Sequence, residues 1–181
     1  MAMMAFPFGP LYRYWADCGL GSTVTTEDVQ EVAPGIRMFS RTSMTLCALD
    51  CDKATVDMVV RQRVEGAPVD IPPTETLQEV EIPAAPPRSE EEEGGMEEGS
   101  GATLSPESEV EETIEVLGRP LPCRRIERLA DVGGRKLRMT VWLSDQVPGG
   151  MARSELGFDG VSSQRTITTV VSFLKKGFVG G

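Results

Sequence analysis

The chain has 181 residues, 40% of them hydrophobic, which suits one domain with a real core, or one domain plus a loosely organised segment. Its formal charge of −10 is local: eleven glutamates and no Lys or Arg lie between Glu90 and Glu115, and the remaining 17 acids and 18 bases nearly cancel. That balance disfavours a nucleic-acid-binding face, which needs clustered bases, and the absence of histidine excludes Ser-His-Asp and Cys-His catalysis, His-ligated zinc and a histidine pH switch.

The N-terminus does not read as an export signal. No basic residue precedes Arg13, and Pro7 and Pro10 interrupt a short apolar stretch. Cys18 has no apolar run upstream, so it is a poor lipidation site. No run approaches the ~18 apolar residues of a membrane span. The expected location is cytoplasmic; a true start further upstream would make it periplasmic or secreted.

"PLYRYWADCGLG" reads as one short helix, with Pro10 in its first turn and Gly19 and Gly21 stopping it. Leu11, Tyr14, Trp15 and Cys18 fall at i, i+3, i+4 and i+7 and form an apolar stripe. The period then changes to two. "GSTVTTEDV" is a short strand candidate. "IRMFSRTSMTLCALD" puts Ile36, Met38, Met44 and Leu46 on one face and Arg37, Arg41 and Ser43 on the other. After a polar turn, "ATVDMVVRQRVEG" alternates Val56, Met58, Val60 and Val64 against Asp57, Arg61 and Arg63. The pair predicts a β-hairpin with one buried and one wet face. "ETLQEVEIP" is a further strand candidate.

Asp50-x-Asp52 does not open a calcium loop, because Thr55 and Arg61 stand where such a loop needs Gly and Glu. The four cysteines, Cys18, Cys47, Cys51 and Cys123, contain no C-x-x-C pair and come from three distant places. They read as small reduced thiols. Neither a metal site nor a cofactor is expected.

Residues 83–109 are rich in Pro, Gly, Ser and Glu, and predict a disordered acidic linker or insert. Strand patterning resumes through a turn at Gly118-Arg119-Pro120, "LPCRRIERLAD", and a second turn at Asp131–Arg135. Arg124, Arg125, Arg128, Arg135, Lys136 and Arg138 cluster there and could meet the acidic linker; without interleaved aromatics they do not make a nucleic-acid site. "KLRMTVWLS" sends Leu137, Met139, Val141 and Leu143 to one face and Trp142 to the other. Trp142 is then half exposed, or both faces of the sheet are covered, one of them by the helix carrying Tyr14 and Trp15.

Val147-Pro148-Gly149-Gly150 is not a phosphate cradle, since the "MARSELGF" that follows alternates as a strand and opens no helix. Pro148-Gly149 suits the centre of a type II turn, and Gly150 a bulge. A turn at Asp159-Gly160 and the β-branched "SQRTITTVVSFLKKG" close the chain.

Trp15, Gly21, Ser22, Val24, Gly118, Cys123, Trp142, Ser144, Val147, Pro148, Gly149, Gly150, Arg153 and Glu155 resemble the pattern of a set of uncharacterised bacterial β-rich proteins carrying W-x-S-x-x-V-P-G-G. These are distantly similar in pattern to half-barrel lipoprotein carriers. The resemblance implies a sheet wrapped around a helix with room for a lipid-like molecule.

The sequence therefore predicts a mainly β (α+β) fold: a curved antiparallel meander sheet or half-barrel of about eight or nine strands with one short N-terminal helix. Residues 1–82 hold the helix and the first half of the sheet, and residues 110–181 the second half. The predicted role is non-catalytic binding of an apolar, lipid-like ligand or a protein partner. Candidate groove residues are Leu11, Tyr14, Trp15, Met139, Val141 and Trp142. The alternatives are an interaction protein whose acidic insert docks a basic partner, and an enzyme, for which no acid/base pair can be read.

Overall fold

The computed structural model describes residues 12–84, 108–132, 134–158 and 166–177. One helix, α1 (Tyr12–Ala16), is followed by nine strands: β1 (Thr23–Ala33), β2 (Ile36–Leu49), β3 (Lys53–Glu65), β4 (Thr74–Pro83), β5 (Ser108–Val116), β6 (Arg119–Val132), β7 (Arg135–Leu143), β8 (Met151–Phe158) and β9 (Thr166–Leu174). All nine belong to one open sheet, and every hydrogen-bonded neighbour is antiparallel.

The alternation read from β2 and β3 sets their faces. Leu46 pairs with Val56 and Met44 with Met58 in the β2–β3 register. Val24, Leu46, Ala54, Val56 and Val170 are at most 2% exposed and form the inner row. The outer row carries ion pairs such as Arg41–Glu27 at 3.6 Å, exposed enough to contribute little. Gly35 turns β1 into β2 at a φ of 76°. Leu117 and Gly118, at 54° and 71°, make the two-residue link between β5 and β6 that a tight hairpin favours.

Several boundaries differ from expectation. The helix is a five-residue turn, and Cys18 lies beyond it in a bend, its N–H donating to the Trp15 carbonyl at 2.9 Å. β1 runs to Ala33, well past the predicted strand, because pairing with β2 carries polar residues such as Gln30 and Glu31 along. Pro83, Ser108 and Glu109, read as linker, are strand residues. Ala84 is a bend whose N–H donates to the Asp52 carbonyl at 2.7 Å; residues 85–107 of that linker, Leu11 and the predicted Asp159-Gly160 turn lie outside the described residues.

The strand order is β4-β3-β2-β1-β9-β8-β7-β6-β5. A simple meander would leave β1 and β9 as edges. Here they pair, Thr26 with Val170 and Asp28 with Thr168, and among the described residues the edges are β4 and β5. In a flat sheet β3 and β6 would stand about 29 Å apart, six spacings of ~4.8 Å. Yet α1, roughly 7.5 Å long, packs on β2 and β3 and bonds Arg124 of β6. The sheet is therefore curled around α1.

Strand direction adds a constraint. Counting antiparallel steps through the order makes β4 and β5 point the same way. β4 ends beside the Asp50 turn at the α1 end, whereas β5 begins at the opposite end. Two like-directed edges cannot be joined by a tight hairpin. The end of β4 and the start of β5 therefore lie at opposite ends of the sheet, about a strand length apart along the strand direction, roughly 30 Å.

Candidate binding site

The α1 end is closed by a plug built from the aromatic stripe and the β7–β8 loop. Val147 and Pro148 are fully buried. The Gly150 N–H donates to the Val147 carbonyl at 2.9 Å, which closes a turn with Pro148 and Gly149 at its centre. Gly149 has a φ of 74°, as the third residue of a type II turn requires. A Cβ on Gly149 would come within 3.1 Å of the Trp15 ring, and one on Gly150 would overlap the Tyr14 ring. The two glycines thus let loop backbone lie directly on two aromatic faces. The Ser144 N–H donates to the Gly150 carbonyl at 2.7 Å and closes the loop's neck.

Most of the predicted groove residues are core. Tyr14 and Val141 cluster with Ile126 and Leu143, with Met139 packed against them. Trp15 and Trp142 belong to a second cluster with Cys18, Leu46, Val56 and Val147. Trp15 is 0% exposed and Trp142 9%. Both faces of β7 are therefore covered, since alternation sends Val141 and Trp142 to opposite sides. The Trp142 indole N–H donates to a Glu112 carboxylate oxygen across from β5, and Arg153 lies over the indole ring.

Tyr14 also borders a cleft of about 670 Å³ between α1, β5, β6 and the β7–β8 loop. Arg13 and Arg124 both donate to the Tyr14 hydroxyl oxygen, at 2.5 and 3.2 Å, and Glu109 pairs with Arg124 at 3.2 Å. Glu111, Glu112, Asp17 and Asp145 add acid to the rim. Burial raises the Tyr14 phenol against the opposing pull of Arg13. Burial, helped by the Glu112 charge, pushes the Cys123 thiol up to about 11. A thiol so placed stays protonated at neutral pH and is a weak nucleophile. The lining is mostly polar, which suits contacts to polar groups better than an alkyl chain. A second cavity of about 840 Å³ is more apolar and is lined by Cys18, Leu20, Cys47, Leu49 and Lys176, among others.

All four cysteines are free, Cys18 and Cys123 buried, Cys47 and Cys51 exposed. Among the described residues no three His, Cys, Asp or Glu side chains come together as metal ligands. None of their helices is long and apolar enough to cross a membrane.

Two features escape sequence reasoning. Arg13, Glu112 and Arg124 reach the cleft from three separate elements, and no local pattern links them. The strands β4 and β5 also look like ordinary strands until the β1–β9 pairing leaves them, among the described residues, at the edges of the sheet. The alternating acids of "TETLQEVEIP" and "SEVEETIEV" were their only signal.

No family profile, no curated protein and no solved structure matches this chain.

Proposed function

We propose that this chain is a non-catalytic β domain that binds another protein. The observation that carries the reading is the combination of an interior packed by Trp15 and the β7–β8 loop with two strand edges that no other described strand covers. Trp15, Val147 and Pro148 fill the interior beneath the β7–β8 loop, and among the described residues β4 and β5 each lack a second neighbour in the sheet. Unpaired edges are templates for an incoming strand. The acidic chain that joins them would favour a basic partner. Non-enzymatic action accords with the protonated Cys123 and the absence of histidine, and the free thiols suit a reducing, cytoplasmic setting.

A second reading keeps an apolar ligand. Met38, Met44 and Met58 lie half-buried on the inner face of β2 and β3, and methionine lines adaptable apolar surfaces. The resemblance to half-barrel carriers, resting on Trp15, Trp142 and Val147–Gly150, points the same way.

Native mass spectrometry of the full chain, purified gently from its host, separates the two. A bound protein supports the first reading. A co-purifying lipid, retained on titration, supports the second and overturns the first. An apo chain that takes up neither overturns both.

A further inference from the structure

Resting on the protein-binding reading, we infer that the β4 edge is a docking strand for a basic, extended segment of a partner, which adds antiparallel to β4 and lengthens the sheet. β4 offers ten residues of edge, exposed throughout its first four positions. The two edge strands carry seven glutamates (Glu75, Glu79, Glu81, Glu109, Glu111, Glu112 and Glu115) and no Lys or Arg. β4 alone contributes three of these glutamates to the edge the incoming strand would meet.

The β3–β4 register makes the chemistry specific. Glu75 pairs with Arg61 and Glu81 with Lys53 on the outer face. Between them Glu79 stands opposite Asp57, a like-charge cross-strand pair of the kind that destabilises a sheet. A Lys or Arg on a strand outside β4 would sit beside Glu79 and relieve that pair. Leu77, 72% exposed on the same outer row, would gain an apolar neighbour. On the inner row the incoming strand would meet Thr76, Gln78 and Val80. A second copy of the chain does not fit, because two β4 edges would set glutamate against glutamate; the acids that block self-pairing select a basic strand.

The complement of Glu81 to Glu75, read antiparallel, is Lys-Val-Lys-Thr-Val-Thr-Lys. This capped peptide is the probe, with two controls: the same peptide N-methylated on alternate backbone nitrogens, and one with Glu in place of Lys. Binding to the full chain is followed by fluorescence anisotropy, and the site by amide hydrogen exchange. The basic peptide should slow exchange at alternate β4 amides. It should bind more weakly as salt rises, and Glu79→Gln should weaken it about two- to fivefold, the range of an exposed pair. Both controls should lose the β4 protection. Equal binding by the N-methylated peptide would overturn the strand-addition claim, as would protection in the free chain of the alternate β4 amides that do not donate to β3. If β4 stays unprotected while native mass spectrometry still finds a bound protein, the edge assignment fails and the binding-protein reading stands. If neither appears, both fail.

Discussion

Gly150→Ala is the sharpest test of the plug. At Gly150 φ is 80°, a region where an L-residue costs about 1–2 kcal/mol. The new methyl would also overlap the Tyr14 ring, and overpacking of this kind adds about 1–3 kcal/mol. The expected loss is therefore about 2–5 kcal/mol, a large share of the roughly 5–15 kcal/mol typical of a domain. Gly118→Ala is the matched control. Its φ is 71° and nothing lies within 4 Å of the added Cβ, so only the backbone term, about 1–2 kcal/mol, applies. Urea unfolding at neutral pH reads the two losses as shifts in midpoint at constant slope. In a Tyr14→Ala background the ring is gone, and the cost of Gly150→Ala should fall toward that of Gly118→Ala, a coupling of about 1–3 kcal/mol. If the two glycine variants differ by less than about 0.5 kcal/mol, the range of an ordinary surface change, the loop is not pressed on Tyr14 and the plug is misread.

Trp142→Phe should cost about 1–3 kcal/mol by stranding the half-buried Glu112 carboxylate; Glu112→Gln, which keeps an acceptor, should cost less in the same melts. Thiol labelling of the native chain at pH 7.5, a choice of ~0.5 unit above neutral, should modify the exposed Cys47 and Cys51 and spare Cys18 and Cys123, with mass spectrometry identifying the sites. Because the Cys123 thiol rises from 9.0 to about 11 on folding, its contribution to stability is full below pH 9 and is lost as pH climbs through 11. Cys123→Ser should flatten that alkaline limb of the stability curve. Asp28, half-buried on the inner face, has its carboxyl raised by burial despite a hydrogen bond with Ser40. Its ionised form thus weighs against folding at neutral pH, and the burden fades as pH falls through its folded value. Asp28→Asn should raise the neutral-pH melting temperature, and the gain should shrink in acid.

Tyr14, Trp15, Gly149 and Gly150 each stand out in the sequence, two by helical spacing and two by turn chemistry. Their contact does not. Periodicity gives a side chain's face and cannot say which distant loop covers it. Trp142 shows the same limit: alternation sets it opposite Val141, but only the packing of Trp15 on one side and Tyr14 on the other explains how both faces of one strand are buried.

By itself the sequence determined the local architecture. Alternation and β-branching mark the strands, and short turns with Gly at positive φ fold neighbours into hairpins, because such pairing needs only residues close in the chain. It also determined where acid accumulates and that histidine chemistry is absent. The tertiary structure alone decided the strand order. β1 pairs with β9 across almost the whole chain, and loop closure over that span rests on the sum of many weak contacts that no local pattern records. That one pairing moves the edges to β4 and β5, points them in the same direction, and turns two unremarkable strands into the acidic rim on which the proposed function rests.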